Sequence, residues 1–338
     1  MITVTHVGNR LLRTGGAERL FRKISAYLAE RGRVRIRQSI CVGSQHYDQD
    51  FCSTFPHPVT IGGKEQIQQA IDCGDMIITW GGVDFSSMGL KPHVCVYNVA
   101  SEFMDNFNVS KSSVTHCIAA CHSVARMVKE FDTTVVYPGI DSGDLSGGRC
   151  RDYVRRNLGL SEADLLVAMI GRIDKNKNQV MLVEAMRKIA DPSVRAVFVG
   201  EGPEARALLK QAPNSCHFAG HSEQVGEWYR ASDIVCILSR HECMPAALLE
   251  SSFFGKPLIS TLPGAVAEFL DDKNSWVAKD SDQLASAIMS ARSLAQESLR
   301  LKGESLRFIY EAHGDYRETA AKWESLFVRL SNRMGMLC

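Results

Sequence analysis

The amino-acid sequence predicts an α/β protein of two Rossmann-like domains, each a mostly parallel sheet flanked by helices. Three observations carry that expectation. Short apolar runs bounded by polar residues or glycine alternate with longer amphipathic segments, the signature of βαβ units. The alternation runs through the chain twice. The 338 residues also exceed the roughly 250 at which a single hydrophobic core stops growing.

In the first half, strands are predicted at Ile2 to Val7, Arg35 to Val42, Met76 to Thr79, Val94 to Val99, Cys117 to Ala120 and Thr134 to Val136. A helix follows the first strand, because Leu20, Phe21, Ile24, Tyr27 and Leu28 recur at helical spacing and Gly32 closes it. The second half opens with Leu165 to Ile170 and continues with Ala196 to Val199, His217 to Ala219, Ile234 to Leu238, Leu258 to Ser260 and Trp276 to Ala278. Between the halves, YPGIDSGDLSGG concentrates Pro, Gly, Ser and Asp near Pro138 to Gly148, which places the join there. The expected domains are 1–137 and 138–315, followed by a terminal helical segment, 316–338. In that segment Ala320, Trp323, Leu326, Phe327 and Leu330 form an apolar stripe that has to be buried against one domain or the other.

Composition narrows the function. The net charge of +1 gives no overall bias toward nucleic acid, although residues 1–37 hold Arg10, Arg13, Arg19, Arg22, Lys23, Arg31, Arg33, Arg35 and Arg37 against only Glu18 and Glu30. No apolar run approaches the roughly 20 residues of a membrane span. The opening MITVTHVGN also lacks the basic-then-apolar layout of a signal peptide, so the cytoplasm is the expected location. Eleven cysteines scattered through apolar segments suit reduced core thiols. The run HCIAACH (His116 to His122) reads as a buried strand entering a helix rather than a zinc site, and no metal is expected.

Three loops hold chemistry. After the first strand, NRLLRTGGAERLF sets Gly15 and Gly16 at a helix N-terminus, where unpaired N–H groups favour a phosphate; a flexible βα loop would show the same glycines. After Leu165 to Ile170, GRIDKNKNQ projects Arg172 and Lys177 from the carboxyl edge of a sheet, suited to a diphosphate, although a solvated basic loop looks alike. After Ile234 to Leu238, SRHECMPAALLESSFFGKPLIS carries Glu242 and, eight residues on, Glu250. Eight residues is slightly over two helical turns, so the two carboxylates can line one side of a pocket and accept hydrogen bonds from sugar or ribose hydroxyls. The alternative of two ordinary surface charges is weakened for Glu250 by its apolar neighbours.

At these residues the sequence resembles glycosyltransferase family 4, retaining enzymes of the GT-B fold. The resemblance runs through GGAERL, VVYPGID, GRIDKNKNQ, VGEGPE, FAGH, ASDIVCILS, the Glu-x7-Glu segment and LPGAVAEFL, and is strongest from about 135 to 280. It implies two facing Rossmann-like domains with a cleft between them and a C-terminal helix that crosses back to pack on the first domain, the acceptor side. It implies that Arg172 and Lys177 hold the diphosphate of a nucleoside-diphosphate sugar, UDP- or GDP-linked, with Gly16 approaching from the opposite domain. Glu250 would take the ribose hydroxyls. Glu242 would contact the transferred sugar together with the backbone of Cys243, Met244, Pro245 and Ala246. Gly200, Glu201 and Gly202 would shape the donor wall, and the region after Gly220 would meet the nucleobase. Transfer would be front-face and metal-independent, with electrostatic preorganisation as the leading contribution and α-linkages as the product.

One departure concerns the acceptor side. Many members carry a His at the end of a first-domain strand, where VCVYNVASE here places Asn98, which can orient a hydroxyl but cannot act as a base near neutral pH. His6 could supply an imidazole instead, though a strand-end His is more often a packed one. Arg13, with Arg10, could face the donor or a phosphorylated acceptor, and the basic region 10–37 could touch an anionic membrane surface or simply be solvated. The expected function is transfer of a hexose or hexosamine to a glycan or lipid-linked acceptor in bacterial lipopolysaccharide, capsule or other polysaccharide assembly. The alternatives are a nucleotide-sugar epimerase of the same architecture, which would change the donor without an acceptor, and a non-catalytic sugar-nucleotide binder.

Overall fold

A computed structural model describes residues 1–13, 16–42, 47–80, 83, 85, 87–99 and 114–333. The chain forms two compact units, the first from Met1–Gly139 and the stretch beginning at Asp315, the second from Ile140–Gly314.

The first unit holds strands β1 (Ile2–Gly8), β2 (Val34–Cys41), β3 (Val59–Ile61), β4 (Met76–Trp80), β5 (Cys95–Val99), β6 (His116–Ala119) and β7 (Thr133–Val135). They pair in parallel in the order β3-β2-β1-β4-β5-β6-β7. The second unit holds β8 (Leu165–Ile170), β9 (Val194–Val199), β10 (Cys216–Gly220), β11 (Ile234–Ile237), β12 (Leu258–Ser260) and β13 (Ser275–Val277), parallel in the order β10-β9-β8-β11-β12-β13. Both sheets reverse direction beside their first strand, the doubly wound arrangement in which ligands bind outside the carboxyl ends of the strands at the reversal. These are the two Rossmann-like sheets that the alternation predicts, each strand within two residues of its expected start and end. Only β3 escapes the sequence reading, because VTI is a three-residue, largely exposed edge strand that interrupts no apolar run.

The terminal helix Tyr316–Arg333 packs in the first unit, as the GT-B resemblance implies. Its stripe of Ala320, Trp323, Leu326, Phe327 and Leu330 joins Phe21, Ile24 and Leu28 of the helix Gly16–Arg31 in one core cluster. Its entry is fixed by Thr319, whose hydroxyl accepts from the Gly139 N–H at 2.9 Å and donates to the Tyr137 carbonyl at 3.0 Å. Gly139 has no room for a side chain: a Cβ there would lie 2.4 Å from the Tyr316 nitrogen.

In the second unit, β8 and β11 are pinned at their amino ends by Asp233, which is buried. Its carboxylate accepts from the Leu166 N–H at 2.8 Å, from Arg155 at 3.0 Å and from Arg151 at 2.7 Å. Arg155 is itself fully buried and also donates to the carbonyls of Ala231, Ser161 and Asp164. A buried charge is tolerated only when paired and hydrogen-bonded in this way.

In the first unit, Ser39 bridges two buried imidazoles, His6 Nδ1 at 3.1 Å and His57 Nε2 at 2.8 Å. Burial pushes His6 down to about 3 and His57 down to about 4. Both are neutral when folded but take up protons near pH 6.5 when unfolded, so their contribution to stability is complete above 6.5 and is lost as pH falls. Melting temperature is expected to be flat above pH 7 and to fall from 6.5 to 5, where carboxylates still keep their charge. His57→Gln should flatten that fall, lowering the slope of the unfolding free energy by up to about 1.4 kcal/mol per pH unit; an unchanged slope would show that His57 does not titrate on unfolding.

Candidate functional site

The strand β8 ends in Gly171, whose φ of +142° suits glycine, and the chain turns there into a short loop before the helix Gln179–Lys188. Asp174 organises that loop. One carboxylate oxygen accepts from the Lys177 N–H at 2.8 Å and the other pairs with Arg172 Nε at 2.6 Å. The Arg172 side chain remains 72% exposed, so its guanidinium fork is presented to solvent. Gln179 supports the start of the loop by donating to the Arg172 carbonyl at 2.8 Å.

The loop after β11 is stitched to this one. Asn176 donates through Nδ2 to the His241 carbonyl at 2.9 Å and accepts at Oδ1 from the His241 N–H at 3.1 Å, while the Arg240 N–H donates to the Asn176 carbonyl at 2.8 Å. The stitch carries Lys177 to Glu242, and the two form an ion pair through Glu242 Oε1. Ser239, buried at the end of β11, donates to the same oxygen at 2.7 Å. Its carbonyl in turn accepts from the Thr261 hydroxyl, beyond β12, at 2.8 Å. Glu242 thus lies in the loop, ahead of the helix Ala246–Phe253, and Glu250 lies within that helix.

Glu250 accepts from the Tyr229 hydroxyl at 2.6 Å. Burial, reinforced by the Glu250 charge, holds the Tyr229 phenol well above its ordinary range, so it stays a donor. Cys243, Met244 and Pro245 are buried, and Ala246 opens the helix on an exposed position. A helix start of this kind offers unpaired N–H groups to an anion or a sugar oxygen.

Glycine lets the loops lie backbone against backbone. A Cβ on Gly200 (φ +136°) would come within 2.1 Å of the Gly171 carbonyl oxygen, and one on Gly202 within 2.1 Å of that of Ile173. A Cβ on Gly264 (φ +55°) would strike the Glu242 carbonyl oxygen at 1.9 Å. The chain at 171–173 continues ladder-like contacts with 199–201, Gly171 N–H to Val199 and Ile173 N–H to Glu201, both 2.9 Å. Glu201 itself is exposed. Four carboxyl-end loops, after β8, β9, β11 and β12, therefore form one continuous surface within the second unit.

In the first unit, Gly16 begins the helix Gly16–Arg31 and a Cβ there would meet open space; Gly15 lies outside the described residues. Asn98 is buried in β5, and Arg13 is exposed. His6 is packed, 2% exposed with its ring 4.1 Å from that of Phe21, so burial rather than presentation to a ligand describes it. The basic region 10–37 is partly paired within the first unit. Arg10, Arg31 and Arg37 pair with the buried carboxylates of Glu18, Glu324 and Asp75 at 2.7, 3.0 and 2.9 Å, whereas Arg13, Arg19, Arg33 and Arg35 are exposed. His116 and Cys117 lie in β6, with His116 bonded to Thr134 at 2.9 Å, and among the described residues no three His, Cys, Asp or Glu side chains gather as a metal-binding group.

Asp174, Asn176, Ser239 and Tyr229 are the residues of the site that the sequence reading passes over. Asp174 and Ser239 had local signals, each lying three residues before the residue it bonds, Lys177 and Glu242. Asn176 and Tyr229 reach partners 65 and 21 residues away, which spacing cannot reveal.

Residues 164–293 match the family model described as Glycosyl transferases group 1. The chain is 27% identical over 204 residues to a putative teichuronic acid biosynthesis glycosyltransferase of Bacillus subtilis, a match to 59% of this chain and 50% of that one. It is 24% identical over 301 residues to the N-acetyl-alpha-D-glucosaminyl L-malate synthase of Bacillus anthracis, covering 85% of this chain and 74% of that one. The match thus spans half the length of the first relative and three quarters of the second. Among solved structures, HepE of Anabaena in complex with UDP superposes with a TM-score of 0.78 at 16% identity, over 97% of this chain and all of that one. The fold is accordingly GT-B.

The close approaches give a direct test. Gly202→Ala should destabilise the protein by about 1–3 kcal/mol, the usual range for overpacking, because the Ile173 backbone has to retreat. Gly63→Ala, which meets open space, should cost less than about 1 kcal/mol. Equal denaturation midpoints for the two variants would show that the 171–173 and 199–202 backbones are not in contact.

Proposed function

We propose that this chain, whose residues 164–293 form a group 1 glycosyltransferase domain, is a retaining glycosyltransferase that uses a nucleoside-diphosphate sugar. The observation that carries the reading is the convergence of Arg172, Lys177, Glu242 and a helix N-terminus at the reversal between β8 and β11 of the second unit. That combination offers cations for a diphosphate, carboxylates for hydroxyl groups and N–H groups for sugar oxygens.

In this reading Arg172 grips the diphosphate through its exposed fork and Lys177 adds a point charge, so both stabilise the negative charge that gathers on the leaving phosphate. Glu250, oriented by Tyr229, accepts from the ribose hydroxyls. Glu242 and the backbone from Cys243 to Ala246 orient the transferred sugar, and Gly200 to Gly202 form the wall of the site. His6, neutral and packed, is given no proton-transfer role. Retention then follows a front-face course in which the leaving phosphate takes the acceptor proton, giving an α-linkage from an α-donor without a metal.

The donor is a UDP- or GDP-linked hexose or hexosamine. The acceptor is a glycan or lipid-linked glycan in bacterial polysaccharide, capsule or lipopolysaccharide assembly. The curated relatives above support that setting, one named for teichuronic acid biosynthesis. We place the reaction in the cytoplasm, with the exposed Arg13, Arg19, Arg33 and Arg35 able to meet an anionic membrane surface.

A panel of UDP, GDP, ADP and their sugars in EDTA tests the donor site by thermal shift, since selective binding to the folded state raises the melting temperature by mass action. One nucleotide should give a shift that Glu250→Ala abolishes. Absence of a shift with every nucleotide would overturn the transferase reading.

A further inference from the structure

Lys177 is the cation placed for the donor diphosphate, yet its ammonium is already engaged by Glu242, whose side chain is only 13% exposed. A diphosphate arriving at Lys177 has to compete with that carboxylate. Ser239 keeps Glu242 Oε1 in place through a hydrogen bond of 2.7 Å, and Thr261 anchors the Ser239 carbonyl, so the carboxylate cannot simply swing away with the lysine. Its backbone is fixed as well, because Gly264 lies against the Glu242 carbonyl and the Ala265 N–H donates to the Cys243 carbonyl at 2.7 Å.

We infer that Glu242 makes the site discriminate between a sugar-bearing diphosphate and a bare one, with Ser239 as the residue that positions it. When a phosphate takes over Lys177, the mostly buried Glu242 carboxylate loses its cation and faces a second anion, which is unfavourable unless donors replace the lysine. The hydroxyl groups of the sugar are such donors. A nucleoside diphosphate without its sugar brings the phosphate charge but no sugar hydroxyls, so it displaces Glu242 without compensating it. The site thus holds the intact donor in preference to the nucleoside diphosphate left after transfer, and the ion pair re-forming behind the product favours its release. This inference rests on the donor-site reading above and assigns Glu242 a role in selectivity, additional to any contact it makes in orienting the sugar.

The test is calorimetric titration of UDP and UDP-glucose, with GDP and GDP-glucose in parallel, into the wild type, Glu242→Gln, Lys177→Met and the double variant. Glu242→Gln should bind the bare diphosphate about fivefold more tightly than wild type, the scale of a partly exposed ion pair, while the preference for the sugar nucleotide shrinks. The gain should vanish in the Lys177→Met background, since the cycle isolates the competition for that lysine. Ser239→Ala, which keeps every charge, should leave affinity for the bare diphosphate within about twofold and lower the preference for the sugar nucleotide. Bare-diphosphate affinity in Glu242→Gln equal to or below that of wild type overturns the inference and leaves the donor site standing. Failure of wild type to bind any of the four nucleotides overturns both.

Discussion

The adjacency of β8 and β11 is the constraint on which the candidate site depends, and it is enforced at both ends of the strands. At the amino ends, the buried Asp233 bonds the Leu166 N–H and two arginines. At the carboxyl ends, Asn176 and the 240–241 backbone exchange three hydrogen bonds. Neighbouring loops usually diverge where a doubly wound sheet reverses, which opens the crevice for a ligand. Here they are tied together just beyond the strand ends, and the tie sets Lys177 against Glu242. The lysine of one loop and the carboxylate of the next thereby become one electrostatic unit.

The same economy of charge recurs in the first unit. Glu18, Glu324 and Asp75 are buried carboxylates, and each takes up one arginine from the basic stretch near the N-terminus. The pairing of Arg31 with Glu324 ties the end of the helix Gly16–Arg31 to the terminal helix, across the core formed by Phe21, Trp323 and Phe327. Truncating one of these carboxylates would free an arginine at the surface, whereas truncating the arginine would leave a buried charge unpaired, the costlier change. Local positive charge in the sequence therefore overstates the positive charge available to a partner.

Close backbone contact, rather than side-chain bulk, shapes the second unit at its carboxyl edge. Gly200, Gly202 and Gly264 each lie where a single Cβ would collide with a carbonyl of the neighbouring loop. Tyr229, stacked on Phe254 with ring centroids 5.5 Å apart, supports the same edge from the next layer and fixes Glu250. Glycines and one buried phenol thus hold a set of charged side chains in place while leaving Arg172 in solvent.

The sequence by itself determined the two parallel sheets, because alternation of apolar runs with amphipathic helices is a local property, and β8 and β12 coincide with their expected bounds for that reason. It also determined the carboxyl-edge placement of Arg172, Lys177 and Glu242, since a residue just beyond a parallel strand has nowhere else to be. Only the tertiary structure decided their pairings. That Lys177 meets Glu242, that Tyr229 holds Glu250, and that His6 is sealed beneath Phe21 follow from contacts across 15 to 65 residues of chain. Such pairings depend on strand order and loop approach in space, and those emerge only when the sheet is assembled.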